Sequence, residues 1–360
     1  MKVAIINNKQ LARRELIRIV TLTREYELAW TTSSGKNAIK LCRSVIPDLI
    51  LMDPLVRDID GIAVIRQIMA DTPCAILIVT GSVEDQAEIV FSAMGAGAID
   101  AVNTPKLDSR EYDPAVAALQ RKMAQIRVLT RDIPAQPVEH RAGELQSGYF
   151  PARKNLVAIG CSSGGPDALV KVLSQLPKDF QSPVIIIQHV DAAFAPALAK
   201  WLNVKSALTV ELAKDGDLPT PGRVYLAAAN SHLTVSPKGR LTYSHEPTDT
   251  FYRPSVDVFF NSLADNWRHS VVAILLTGMG KDGAKGLQEL RRKGAYTIAQ
   301  DQATSAVYGM PKAALELNAA VAVLPIGQIA DALVRITNSG NRNSGNLALQ
   351  QLDMNETGSS

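Results

Sequence analysis

The chain has 360 residues, 46% of them hydrophobic and 20% charged, so it can bury two cores and is too apolar to be disordered. Its 38 Lys and Arg against 35 Asp and Glu leave a net charge of +3, a weak field over this length and a poor basis for binding nucleic acid or an anionic membrane. Three scattered cysteines, Cys42, Cys74 and Cys161, form neither a disulfide framework nor a zinc pattern. No window reaches the roughly 18 apolar residues of a membrane span, and the start has no leader-like pattern, so a cytoplasmic location is expected.

In chain order, Val3 to Ile6, Leu28 to Thr31, Leu49 to Met52, Ala75 to Val79 and Ile99 to Val102 are predicted strands. They alternate with predicted helices at Leu11 to Leu22, Lys36 to Arg43, Ile62 to Met69, Gln86 to Met94 and Pro114 to Leu129. This alternation predicts a doubly wound parallel α/β domain over residues 1–129. Residues 130–151 hold Pro134, Pro137, His140, Gly143, Ser147 and Gly148 and read as a linker.

A second α/β series is expected over 152–340. Its strands are predicted at Leu156 to Ile159, Val184 to Gln188, Val224 to Ala227, Val271 to Leu276 and Tyr296 to Ala299. Its helices are predicted at Asp167 to Leu176, Ala195 to Leu202, Ser255 to Trp267, Ala284 to Lys293 and Lys312 to Leu317. Leu233 to Val235 and Leu241 to Tyr243 flank Pro237-Lys238-Gly239, a hairpin signal. Residues 341–360, rich in Asn, Ser and Gly, read as a flexible tail.

The chemistry concentrates in the second series. Its first strand runs into Gly160-Cys161-Ser162-Ser163-Gly164-Gly165-Pro166 and then a helix, so Gly160-x-Ser162-x-Gly164 has the spacing of a nucleophile elbow. A phosphate-binding glycine loop remains an equal reading, because exposed amides at a helix start attract either anion. A serine nucleophile needs a base. Of the five histidines, His189 alone closes a predicted strand on the same rim as Ser162; His140, His232, His245 and His269 fall in the linker, around the hairpin or before a strand. Asp282, in Thr277-Gly278-Met279-Gly280-Lys281-Asp282-Gly283, follows another strand and lies on that rim, in place to orient an imidazole. The rival reading is that Gly278-x-Gly280-x-x-Gly283, with Asp301 about 20 residues on, is a dinucleotide fingerprint.

These residues resemble the catalytic domain of the chemotaxis-type protein-glutamate methylesterases (CheB). The matching stretches are Ile159 to Gly165, Gln188-His189, Tyr252 to Val258, Leu276 to Gly283 and Asp301 to Lys312. The resemblance implies Ser162 as nucleophile, His189 as general base and Asp282 as the orienting acid. Met279 and Arg253 would lie near the substrate, with backbone amides around Ser163 and Met279 as oxyanion donors. It implies hydrolysis of glutamyl methyl esters on a methylated chemoreceptor, deamidation of receptor glutamines, and no cofactor for catalysis. Cys161 stands where the family usually has alanine and reads as a small buried filler.

The first domain resembles a response-regulator receiver, which implies regulation by a chemotaxis-type histidine kinase. Asp53 matches the phosphoacceptor and Thr80 the switch hydroxyl. The acidic pair that would hold magnesium is replaced by Asn7-Asn8, and the lysine before a proline is replaced by Thr104-Pro105, so magnesium-dependent phosphorylation is in doubt. The stretches Thr72 to Thr80 and Asp100 to Pro105 resemble the Wsp-type branch. Two other classes stay open at this point: a nicotinamide-dependent oxidoreductase built on Gly278, Gly280 and Gly283, and a response regulator that acts by binding alone.

Overall fold

A computed structural model describes residues 1–83, 85–106, 114–131, 155–228 and 230–337. Short runs of Val, Ile, Leu and Ala become strands buried on both faces, as parallel sheets covered by helices require. In the first sheet β1 (Lys2–Ile6), β2 (Glu27–Thr32), β3 (Leu49–Met52), β4 (Ala75–Thr80) and β5 (Asp100–Asn103) lie in the order β2-β1-β3-β4-β5, all parallel. Helices α1 (Gln10–Thr21), α2 (Gly35–Ser44), α3 (Gly61–Asp71), α4 (Ala87–Gly95) and α5 (Pro114–Arg131) connect or cover them. This is the doubly wound arrangement expected of a receiver. Helix α5 runs past the expected boundary at residue 129. The rest of the expected linker, 132–151 with His140, and the expected tail, 341–360, lie outside the described residues.

The second sheet has seven parallel strands. They are β6 (Leu156–Cys161), β7 (Val184–Gln188), β8 (Thr209–Leu212), β9 (Arg223–Leu226), β12 (Val271–Leu275), β13 (Tyr296–Gln300) and β14 (Ala322–Leu324), in the order β14-β13-β12-β6-β7-β9-β8. Between β9 and β12, β10 (His232–Val235) and β11 (Leu241–Ser244) form the expected antiparallel hairpin, with Gly239 at φ 72° in its turn. The helices are α6 (Gly165–Leu173), α7 (Ala195–Lys205), α8 (Val256–Asn266), α9 (Ala284–Arg292), α10 (Met310–Glu316) and α11 over 326–337.

Three elements are additions to the predicted set. Strands β8 and β14 are the two sheet edges, only four and three residues long; β8 mixes Thr and Glu with Val and Leu, whereas β14 ends the apolar run Ala319 to Leu324. Helix α11 buries Ile329, Ala330, Leu333 and Ile336 on one stripe, a spacing that the sequence does display. Strand β6 also continues through Cys161, two residues beyond the expected Ile159.

The chain leaves β6 in one direction across the sheet, through β7 to β9 and β8, and returns on the other side through β12 and β13. The order therefore reverses between β6 and β12, and the crevice at the carboxyl ends there is the natural ligand site of such a sheet. The two sheets are held together by helices. Helix α4 packs on α6 and α7, Phe91 meets Trp201 at a ring-centroid distance of 5.5 Å, and one apolar core joins residues of both halves.

Candidate active site

Ser162 follows β6, one side of the reversal, and its N–H donates to the Thr277 carbonyl at the end of β12. Helix α6 starts three residues later, after Gly164 at φ 77°, a left-handed conformation that an L side chain rarely adopts. The elbow thus forms as its glycine spacing predicts. Thr277 Oγ donates to the Ser163 carbonyl at 2.9 Å and takes the Val307 N–H at 2.9 Å, which anchors the turn from a third segment. Among the described residues the N–H groups of Ser163 and Met279 have no protein acceptor, as oxyanion donors require.

His189 follows β7, and its N–H donates to the Cys161 carbonyl at 3.1 Å. Its Nε2 lies 2.8 Å from Asp282 Oδ2. Burial alone would raise the Asp282 carboxyl, but the contact with His189, the Ser255 hydroxyl and the Val256 N–H outweigh it and hold the group below the usual carboxylate range. The carboxylate only accepts, so the imidazole proton sits on Nε2 and the lone pair on Nδ1. Among the described residues Nδ1 has no hydrogen-bond partner. Tyr252 stacks on the ring at 3.9 Å between centroids with 6° between planes, which fixes its tilt.

Asp282 sits in the β12–α9 loop, against the first turn of α8. The Ser255 hydroxyl donates to Oδ1 at 2.7 Å, the Val256 N–H to Oδ2 at 2.7 Å and the Asp257 N–H to Oδ1 at 3.1 Å. A helix N-terminus presents free N–H groups and a partial positive charge, so it holds this carboxylate ionised. Sequence reading missed Ser255 as a site residue, although Ser before an apolar helical run is a capping signal.

Ser162, His189, Tyr252, Arg253 and Met279 line one cleft of about 540 Å³. Its other wall belongs to the first domain, with Ile99, Asp100, Arg121 and Lys122. Lys122 pairs with Asp100, and the Ser163 hydroxyl donates to the Ile99 carbonyl at 3.4 Å. Arg253 reaches the cleft while donating to the Thr248 carbonyl.

The glycines of the rival fingerprint have their space filled from within. A Cβ on Gly278 would lie 2.2 Å from Met310 Sδ and 2.8 Å from Ser162 Cβ. One on Gly283, at φ 90°, would lie 2.6 Å from both Leu275 and Val256. Gly278 and Gly283 let the loop approach Ser162 and α8.

A family model described as CheB methylesterase matches residues 157–333, and one described as response regulator receiver domain matches residues 3–110. Over 342 residues the chain is 48% identical to a protein-glutamate methylesterase/protein-glutamine glutaminase of Burkholderia lata, covering 94% of this chain and 98% of that one. The belonging is plain at that identity and coverage. The chain belongs to the CheB methylesterase family. A relative of the same name from Cupriavidus metallidurans is 46% identical over 95% of this chain and 100% of its own. Among solved structures, the Thermotoga maritima CheB methylesterase catalytic domain is 36% identical, with a TM-score of 0.49, over 51% of this chain and 98% of that one.

Within this CheB chain, one further site residue becomes visible. Gln188 Nε2 donates to the carbonyls of Ser162 and His189 at 2.9 and 3.1 Å, so one amide ties the loops that carry these two residues. Its Oε1 takes the Cys161 thiol at 3.0 Å, and a Cβ on Gly165 would lie 2.0 Å from it. Cys161 is fully buried and burial pushes its thiol up, which fits a filler and not a nucleophile.

In the receiver, Asp53 ends β3 almost fully buried, and its Oδ1 takes the Leu55 N–H at 3.0 Å. Burial raises its carboxyl, partly offset by that N–H and by the charge of Lys9. Asn7 spends its Oδ1 on the Lys9 N–H, and Asn8 Nδ2 donates to the Leu55 carbonyl. Asp53 Oδ2, Asn8 Oδ1 and Asn7 Nδ2 have no partner among the described residues. The Thr80 hydroxyl is bonded to Gln86 Oε1.

Proposed function

We propose that this chain is a protein-glutamate methylesterase and protein-glutamine glutaminase acting through Ser162, His189 and Asp282. The observation that carries the reading is the arrangement of His189, which lines the same cleft as Ser162, has its Nε2 bonded to an ionised Asp282, and keeps an Nδ1 with no partner among the described residues. Ser162 Oγ attacks the carbonyl carbon of a glutamyl methyl ester as His189 Nδ1 takes the hydroxyl proton. The oxyanion lies toward the Ser163 and Met279 N–H groups, with Arg253 at the cleft edge to meet the substrate. The imidazolium returns the proton to the leaving oxygen, methanol departs, and water repeats the cycle to free the glutamate. With a glutamine side chain the leaving group is ammonia. The cycle balances with these side chains and water, and needs no cofactor. The test is methanol release from membranes bearing a methylated chemoreceptor: wild type releases it, and folded Ser162→Ala does not. Full activity in Ser162→Ala would overturn the assignment.

The receiver supplies one wall of the cleft, so it limits receptor access and regulates the esterase. A chemotaxis-type histidine kinase is the expected partner, in the cytoplasm, with Asp53 as acceptor and Thr80 as switch. Magnesium does not suit the pocket beside Asp53. Among the described residues no group of three or more His, Cys, Asp or Glu could hold a metal ion, Asn7 turns a donor inward, and neutral amides hold the ion poorly. The altered pocket supports a weakened receiver, and the stretches Thr72 to Thr80 and Asp100 to Pro105 support the Wsp-type branch.

A further inference from the structure

His232 was set aside at the sequence level because it flanks the hairpin, yet the structure buries it completely behind the catalytic acid. Its Nδ1 lies 3.1 Å from the Ser255 N–H. Its Nε2 lies 3.1 Å from the Pro247 carbonyl and 3.1 Å from the Thr250 hydroxyl. A backbone N–H only donates, so Nδ1 is the bare acceptor and Nε2 carries the proton. The ring therefore joins the start of β10, the 247–250 segment and the residue that caps α8.

We infer that His232 is a positioning residue for the reaction: by accepting the Ser255 N–H it fixes the α8 N-terminus that holds Asp282, and through Asp282 it sets His189. This rests on the triad reading above. Three of the four donors to Asp282 come from Ser255, Val256 and Asp257, so the carboxylate follows the first turn of α8 wherever that turn goes. Ser255 also caps the helix, its Oγ taking the Val258 N–H. Its own N–H is buried and would have no acceptor without His232, and a buried unsatisfied donor is costly enough to move the turn.

The same geometry makes the ring intolerant of a second proton. Protonated Nδ1 would point its N–H at the Ser255 N–H. Burial holds the His232 imidazole below its ordinary 6.5, opposed by the Pro247 carbonyl and by the charge of Asp282, and helped by the charges of Arg253 and His245. A depressed group contributes stability that is complete above about 6.5 and is lost as pH falls through the folded value. The acid limb of activity in the wild type then includes the protonation of His232.

The experiment compares His232→Asn with His232→Gln in the full chain, with methanol release from methylated receptor membranes as the assay and Ser162→Ala as the blank. An Asn amide oxygen replaces Nδ1 as acceptor, whereas a Gln amide reaches the Nε2 position and leaves the Ser255 N–H bare. His232→Gln should lose about tenfold or more in kcat with KM within about twofold, and His232→Asn should recover most of that loss. His232→Asn should lose the His232 contribution to the acid limb. Equal behaviour of the two variants overturns the inference. Activity in Ser162→Ala instead overturns the triad on which it rests. If neither variant folds, 15N spectra of histidine-labelled wild type decide: a neutral ring protonated at Nε2 supports the inference, and one protonated at Nδ1 overturns it.

Discussion

At the scale of single residues, the site works by placing one charge where the fold can hold it. Asp282 is ionised because four donors converge on it, and its neighbour Asp257 suffers for that charge. Burial pushes Asp257 up to about 6, the Gly286 N–H opposes this, and the charge of Asp282 adds to it. A carboxyl raised in the folded state stabilises below its unfolded value of 3.8, and that contribution is lost as pH rises through about 6. Asp257→Asn keeps an acceptor for Gly286 and removes the buried charge. Its stability should exceed wild type by on the order of 1 kcal/mol at pH 8 and match it near pH 4, as read from urea unfolding at the two pH values. Beside Ser162, the proposed nucleophile, Cys161→Ala should retain nearly full methanol release, since the thiol is buried and its one bond is to Gln188 Oε1.

At the scale of elements, the site depends on how closely three loops approach. The β12–α9 loop passes so near Ser162 that a Cβ on Gly278 would lie 3.1 Å from the Ser162 N. Met310 is flexible and can move aside, but the Ser162 backbone is pinned by Thr277 and must shift. Gly278→Ala should therefore lower kcat by on the order of a hundredfold, the usual cost of misplacing a nucleophile by about an ångström, while circular dichroism stays unchanged. Ser255→Ala removes both a cap and a donor to Asp282. It should cost about 1 kcal/mol in stability and reduce kcat more than KM, measured by thermal unfolding and by initial rates.

At the scale of the whole molecule, the receiver and the esterase share a cleft and a packed seam. In that seam a Cβ on Gly95 of α4 would lie 2.4 Å from Asp167 Cβ of α6. Gly95→Leu should wedge the seam and raise methanol release, and small-angle scattering should show a larger radius of gyration. Magnesium with acetyl phosphate should change wild-type activity by less than about twofold, because Asp53 lacks the acidic pair and Thr104 replaces the lysine. A several-fold activation with stable phosphate on Asp53 would show that these replacements do not disable the switch.

The sequence by itself determined the alternation of strands and helices, because apolar runs and amphipathic periods are local. It also determined the elbow around Ser162 and the rim positions of His189 and Asp282, since glycine spacing and strand ends place them without long-range information. The short edge strand β8 was not legible, because its Val and Leu alternate with Thr and Glu, whereas β14 sits in the apolar run Ala319 to Leu324, which the sequence does display. Only the tertiary structure decided which nitrogen of His189 faces Asp282, and that α8 supplies the donors holding that acid. It alone showed Gly278 and Gly283 packed against Met310, Ser162, Leu275 and Val256. Gln188 and His232 emerged the same way. Their roles are hydrogen bonds between segments far apart in the chain, and such bonds are set by how the sheets and helices pack, which no local pattern encodes.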